Sequence, residues 1–264
     1  MKRRDFVKSS LAVAGAAAVS STSVLGAAES RPNAGREFYE LRLYHLRRGP
    51  MQKRFDDYFR DAAIPALNRA GIPKVGVFGV VVGPDNPTMY VLIPHASMES
   101  FAAAHERVQA DAAYQKAGAE FLNVPPTDPA YIRVESSLLR AFTTIPKLEV
   151  PAAKPRIFEL RTYENPSKRT NLKKIEMFDQ GEIAIFRRTG LTPVFFGETI
   201  IGTKMPNLTY MLVFDDMVAR EKCWDTFRAD PEWKKLSTTP GFTDPELVTD
   251  ISNVILRPTP YSQI

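Results

Sequence analysis

At 264 residues the chain is long enough for one large domain or two of ordinary size. Hydrophobic residues at 44% and charged residues at 25% exclude a disordered or low-complexity chain and predict a buried core. The formal charge of +5 hints at an anionic partner, and the single cysteine, Cys223, excludes an intramolecular disulfide.

The chain opens MKRRDFVKSS, and a weakly apolar run from Leu11 to about Leu25 ends in the small residues Gly26, Ala27 and Ala28. A basic start, an apolar run and a small-residue cluster form the layout of an export signal. The run is about 15 residues long and diluted by Ser, Thr and Gly, too short and too polar for a membrane span. Arg3-Arg4-Asp5-Phe6-Val7-Lys8 is similar to the twin-arginine pattern, paired arginines before x-Phe-(apolar)-Lys. Residues 1–28 are therefore expected to be a twin-arginine signal peptide. Its product would be periplasmic or extracytoplasmic, with no stable membrane anchor after cleavage. Removing Lys2, Arg3, Arg4 and Lys8 against Asp5 takes away three positive charges and leaves +2. Without a basic cluster, that charge excludes a nucleic-acid partner.

FYELRLY at residues 38–44 returns as IFELRTY at residues 157–163, 119 positions later. Gly71 and Gly190, Gly83 and Gly202, Pro87 and Pro206, and Met98 and Met217 keep the same offset. Tyr90 pairs with Tyr210 after a one-residue slip. The chain reads as a tandem duplication of a domain-sized unit, far longer than a solenoid repeat. One domain is expected over 36–142 and another over 156–258, with the proline-rich segment 143–155 as a linker.

Within the first unit, period-two alternation predicts a strand over 37–46. A helix follows over 51–70, with Gly71 as its stop and Pro65 as a kink or break. Strands over 74–82 and 89–93 flank the turn-rich GPDNPT. Ser97 and Asp216 are placed to cap the second helices of the two units. A last strand spans 131–142. The order βαββαβ is ferredoxin-like, an α+β unit with helices on one sheet face.

One face of the first strand carries Tyr39, Leu41, Leu43 and His45, which suits helix packing. The other carries Glu40, Arg42 and Tyr44, repeated as Glu159, Arg161 and Tyr163. KVGVFGVVVG and MYVLI are apolar on both faces, so the sheets are expected to be covered on both. The two sheets would then close a barrel-like core, between the copies or across a dimer, with Glu, Arg and Tyr pointing into it.

On YELRLY, FELRTY, WDTFRADPEWKKL and the duplicated layout, the chain resembles the NIPSNAP family. In the first copy Trp224 is replaced by His105, Pro231 by Ala112 and Trp233 by Tyr114. The resemblance implies tandem ferredoxin-like repeats in a dimeric α/β-barrel type of assembly, and a homo-oligomer. Its superfamily includes cofactor-free monooxygenases and haem-handling proteins. It implies no established reaction.

Glu40, Arg42 and Tyr44, like Glu159, Arg161 and Tyr163, can form the polar floor of a cavity. There the arginine clamps a carboxylate or enolate and the tyrosine moves a proton. The competing account is a Glu–Arg pair that satisfies itself, and its presence in both copies favours a structural role. His105, on the inward side of its helix with Phe101 and Val108, is the best candidate for chemistry in one copy only. Trp224, with Phe227 and Trp233, reads as core or as a ligand wall. HERVQ over residues 105–109 lacks the second histidine of a zinc motif, so no metal site is expected. No cofactor is expected either, with haem left open. Two functions stand: a small-molecule-binding or self-associating protein, and a cofactor-poor enzyme, monooxygenase-like or isomerase-like, on a small apolar or aromatic substrate.

Overall fold

The computed structural model describes residues 35–264. The expected signal peptide and its cleavage region lie outside the described residues. The first copy runs β1 (Phe38–His45), α1 (Pro50–Tyr58), a π-helical turn (Phe59–Ala63) and α2 (Ile64–Arg69). It continues with β2 (Gly76–Val82), β3 (Thr88–His95), α3 (Met98–Gln109), α4 (Ala112–Ala117), α5 (Ala119–Leu122) and β4 (Arg133–Ala141). The second copy repeats the plan with β5 (Ile157–Glu164), α6 (Lys168–Met177), a π-helical turn (Phe178–Glu182) and α7 (Ile183–Arg188). Then come β6 (Thr192–Ile201), β7 (Asn207–Phe214), α8 (Met217–Ala229), α9 (Pro231–Ser237), α10 (Asp244–Leu247) and β8 (Asp250–Pro258).

Local chemistry explains the boundaries. Gly71 and Gly190 follow the first helical stretch of each copy at φ +96° and +88°, a left-handed turn that costs glycine least. The Ser97 hydroxyl accepts from the Ser100 amide at 3.2 Å, and the Asp216 carboxylate from the Ala219 amide at 2.8 Å, so both expected caps are formed. Pro65 neither ends the helix nor makes its π-helical turn. Ala184 stands at the corresponding place in the second copy, and the same turn is present there. The proline sits in the first turn of α2, where its missing N–H is tolerated.

All neighbouring strands are antiparallel, in the closed order β1-β3-β2-β8-β5-β7-β6-β4. Each copy supplies four adjacent strands, and the seams are β2–β8 and β4–β6. Both seams carry a register shift, at Val80/Val82 and at Leu138/Leu139, of the kind that bends strands to close a sheet. The barrel therefore closes between the two copies of one chain. The register also corrects the one-residue slip. Tyr90 lies opposite Leu43 and Thr209 opposite Thr162, so Tyr90 corresponds to Thr209 and Val91 to Tyr210.

The two strand faces are the reverse of the expectation. Tyr39, Leu41, Phe158 and Leu160 form a core with Phe78 and Phe195 inside the barrel, and the buried Ile264 packs with them. Tyr44 and Tyr163 pack under the helices instead, in two separate outer cores. Apolar side chains fill most of this eight-stranded lumen without a desolvation cost. The charged rows face the helix side, where Arg220 and Trp224 reach Glu159. Val91 and Leu212 belong to the outer cores and are fully buried. Replacing either with alanine should lower the unfolding free energy by about 2 to 4 kcal/mol in urea titration.

Candidate functional site

β1 and β5 place their Glu-x-Arg-x-Tyr rows alike, but the partners differ. In the first copy Arg42 grips Glu40 with two hydrogen bonds, Nε to Oε1 at 2.6 Å and Nη2 to Oε2 at 2.9 Å. Ser136 on β4 donates to the same carboxylate at 3.1 Å. His95, at the end of β3, brings Nε2 to 3.7 Å from Glu40 Oε2. The imidazole is 1% exposed, neither ring nitrogen has a hydrogen-bond partner, and Phe101 meets it edge-on at 5.3 Å. Burial alone would raise the Glu40 carboxyl, but His95 and the Arg42 guanidinium outweigh it and bring its pKa down to about 2. Burial pushes the Tyr44 phenol up.

In the second copy the same carboxylate is saturated. Glu159, with no exposed surface, accepts from Arg161 at 3.0 Å, from Arg220 Nη2 at 2.6 Å and Nε at 2.9 Å, and from Asn253 at 2.9 Å. The Trp224 indole N–H donates to it at 2.8 Å, while the Trp224 ring lies 4.8 Å from the Arg161 guanidinium. Arg161 also donates to the Tyr163 hydroxyl at 3.2 Å, which meets Tyr210 at 3.1 Å. Burial raises the Glu159 carboxyl, and Arg220 and Arg161 more than reverse it, so it titrates below the usual carboxylate range.

Replacement of Arg220 by Phe101 and of Trp224 by His105, on the matching helix, changes the volume. In the first copy the helices and the barrel wall enclose a cavity of about 570 Å³. Glu40, Arg42 and His95 form its polar corner; Phe59, Leu67, Val108 and Phe121 are among its apolar walls. Tyr58 stacks flat on Phe121 at 3.9 Å, and its hydroxyl meets that of Tyr114 at 2.8 Å. Unlike the buried Trp224, His105 is exposed and stands at the cavity rim, not in a core wall. Of the residues singled out from the sequence, Glu40, Arg42, Tyr44 and His105 line this one cavity, which lies under the helices and not inside the barrel as expected. Sequence reading missed His95. The signal was a histidine in a strand otherwise buried throughout.

The barrel has its own smaller pocket, about 250 Å³, at the end where β1 and β5 finish. Thr88, Thr162, Thr209 and Asn207 line it, and His45 Nε2 lies 2.8 Å from Glu135. His45 therefore faces the lumen and not the helices. Among the described residues no cluster of three His, Cys, Asp or Glu side chains could hold a metal ion. For haem the cavity offers one buried imidazole, His95, and its setting does not suit an axial ligand. Iron must sit about 2 Å from a ring nitrogen, in a plane as wide as a porphyrin. Glu40 closes off Nε2, Phe101 covers the ring, and Nδ1 lies next to the side-chain stem. The residues present do not fit haem.

The NIPSNAP family model matches residues 39–127 and 158–263, one stretch in each copy. The chain belongs to the NIPSNAP family. Its fold is the mixed α/β architecture of ferredoxin-like repeats that the family resemblance implied. A NIPSNAP-like domain protein from Burkholderia xenovorans is 22% identical, aligned over 41% of this chain and 89% of its own, with a TM-score of 0.37. A candidate monooxygenase from Fusobacterium nucleatum is 10% identical over 85% of this chain and 93% of its own, with a TM-score of 0.56. Another from Lactobacillus acidophilus is 8% identical over 84% and 94%, with a TM-score of 0.53. The Fusobacterium and Lactobacillus structures show a shared fold alone, and identities this low carry no chemistry across. No curated protein matches the chain.

Proposed function

We propose that this protein binds a small, largely apolar or aromatic molecule carrying an anionic oxygen, in the cavity between the barrel and the first-copy helices. The observation that carries the reading is the contrast between copies. One fills the space with Trp224 and Arg220, while the other leaves about 570 Å³ around a guanidinium and an unpartnered imidazole. Apolar walls with a few convergent polar groups are the usual make-up of a ligand site. Arg42 uses Nε and Nη2 on Glu40, leaving Nη1 for the ligand oxygen.

Native mass spectrometry of protein purified from its own host should show a retained small molecule that is absent from His105→Trp. The double variant Glu40→Gln/Arg42→Met leaves no buried charge unpaired, and it should bind that molecule about tenfold to a hundredfold more weakly. A ligand retained equally by all three proteins would place binding elsewhere. Self-association is the second reading. The barrel closes without a second copy, so a homo-oligomer would use other surfaces, and light scattering decides it.

For localisation we infer export by the twin-arginine route, from Arg3, Arg4 and the small-residue cluster at Gly26–Ala28. No helix among the described residues is long and apolar enough to cross a membrane. Changing Arg3 and Arg4 to lysine should hold the precursor in the cytoplasm, as read by immunoblotting of cell fractions. Unimpaired export of that variant would overturn the assignment.

A further inference from the structure

We propose that the open end of the barrel is a second ligand site, separate from the cavity under the helices, for a small primary ammonium on a short apolar body. Where β1 and β5 begin, the lumen is filled: Tyr39 meets Phe195 at 5.0 Å and Phe78 meets Phe158 at 4.9 Å. Where they finish, about 250 Å³ is left, the share of roughly eight liquid waters. The duplication shows that the fold does not force this space. Thr162, Thr199 and Thr209 stand where the first copy has Leu43, Val80 and Tyr90. Those threonines lie on the neighbouring strands β5, β7 and β6, and the bulk they lack opens the pocket.

The hydrogen bonds of these threonines run one way. Both amide hydrogens of Asn207 go to main-chain carbonyls, of Thr203 at 2.9 Å and of Lys204 at 3.0 Å, so its Oδ1 must accept. Thr199 donates to that oxygen at 2.6 Å and Thr209 at 3.4 Å. Thr209 has then spent its one hydrogen, so Thr162 donates at the 3.0 Å contact between the two hydroxyls. Thr199, Thr209 and Asn207 are buried behind the wall, while Thr162 is only half-buried in it. Thr162 therefore offers the pocket lone pairs and no hydrogen.

Across the lumen the reachable group is again an acceptor. His45 Nε2 and Arg133 Nε both bond to Oε1 of Glu135, at 2.8 and 2.9 Å, and Oε2 has no partner among the described residues. The Glu135 side chain lines the pocket and is 34% exposed, so a bound molecule can meet it. Lys204, at the rim, is held by Glu164 at 3.2 Å. An ammonium has three N–H donors and no acceptor, which matches this lining; a carboxylate would meet lone pairs. Leu41, Leu139 and Leu160 supply an apolar wall for a short carbon chain. The charge preference is opposite to that of the helix-side cavity, where Arg42 faces an anionic oxygen.

The test is an NMR titration at pH 7 with n-pentylammonium, set against pentanoate and 1-pentanol. The expected result is saturable binding of the ammonium at about millimolar concentration, with the other two weaker by about tenfold or more. Glu135→Gln should weaken the ammonium about tenfold or more, and Thr162→Val, which keeps the shape and removes the oxygen, about threefold to tenfold. Thr162→Leu installs the first copy's residue and should abolish binding. His105→Trp alters only the cavity under the helices and should leave it unchanged. No saturable binding of the ammonium, or equal binding of all three probes, overturns the proposal, since the barrel end then holds water alone or takes any short chain. Ammonium binding that survives in folded Glu135→Gln and Thr162→Leu proteins overturns it too, as does its loss in His105→Trp. The reading of the helix-side cavity stands or falls on its own retained ligand and is untouched by failure here.

Discussion

Glu159→Ala should unfold the protein more readily by about 3 to 5 kcal/mol, because it leaves the largely buried Arg161 without its carboxylate and Arg220 with only the exposed Glu221. Arg161 and Arg220 side chains are 15% and 13% exposed, and both are anchored on this one carboxylate. The Trp224 N–H and the Asn253 amide lose their acceptor at the same time. Glu40→Ala should cost less, since the Arg42 side chain is 30% exposed and borders a cavity that can admit water. Glu99, exposed on α3, serves as the control and should change little when replaced with alanine. Chemical denaturation at pH 7 measures all three. Equal, small losses would mean that neither row is closed off from water.

The same carboxylates set an acid limb. Both Glu159 and Glu40 titrate lower in the folded protein than the ordinary 4.5, Glu40 at about 2. A lowered folded pKa means the unfolded chain binds protons first as pH falls, so stability drops with falling pH. The contribution is complete above about pH 4.5 and drains away towards pH 2 for Glu40. A plot of unfolding free energy against pH should therefore be flatter below pH 5 in Glu159→Ala than in the unaltered protein.

Exchanging the two aromatic choices should produce the other large effect. Trp224→Ala removes a ring that packs on Phe186 and Phe227 at 5.7 and 5.6 Å, covers Arg161, and donates to Glu159. The loss should be about 3 to 5 kcal/mol, or roughly 6 to 20 °C in melting temperature for a chain of this size. His105→Trp is the reverse experiment. Its indole has an empty volume to enter and a carboxylate, Glu40, on the far wall, as Trp224 has Glu159. It should keep or raise the melting temperature while abolishing ligand binding. A destabilised His105→Trp protein would show that the cavity walls, not the missing ring, set this volume.

The sequence by itself determined the duplication, the βαββαβ order of each copy, the stops at Gly71 and Gly190 and the caps at Ser97 and Asp216. These are local properties: backbone φ freedom, amide satisfaction at helix ends, and side-chain alternation along one strand. The pairing of Glu40 with Arg42 and of Glu159 with Arg161 was equally legible, because residues two apart on a strand share a face. Which face was inside was not legible. Both faces are covered, so alternation distinguishes two rows without saying which one the barrel encloses. Tertiary packing made that choice: the apolar rows of β1 and β5 meet each other across the lumen, while Arg220 and Trp224 reach Glu159 from the helix side. His95 meets Glu40 through the β1–β3 register, and Arg220 and Trp224 reach Glu159 from a helix more than sixty residues away. Contacts of that span exist only once the strands have paired. The cavity is likewise a product of packing: one position holds tryptophan in one copy and histidine in the other, and only the closed structure shows the space between them.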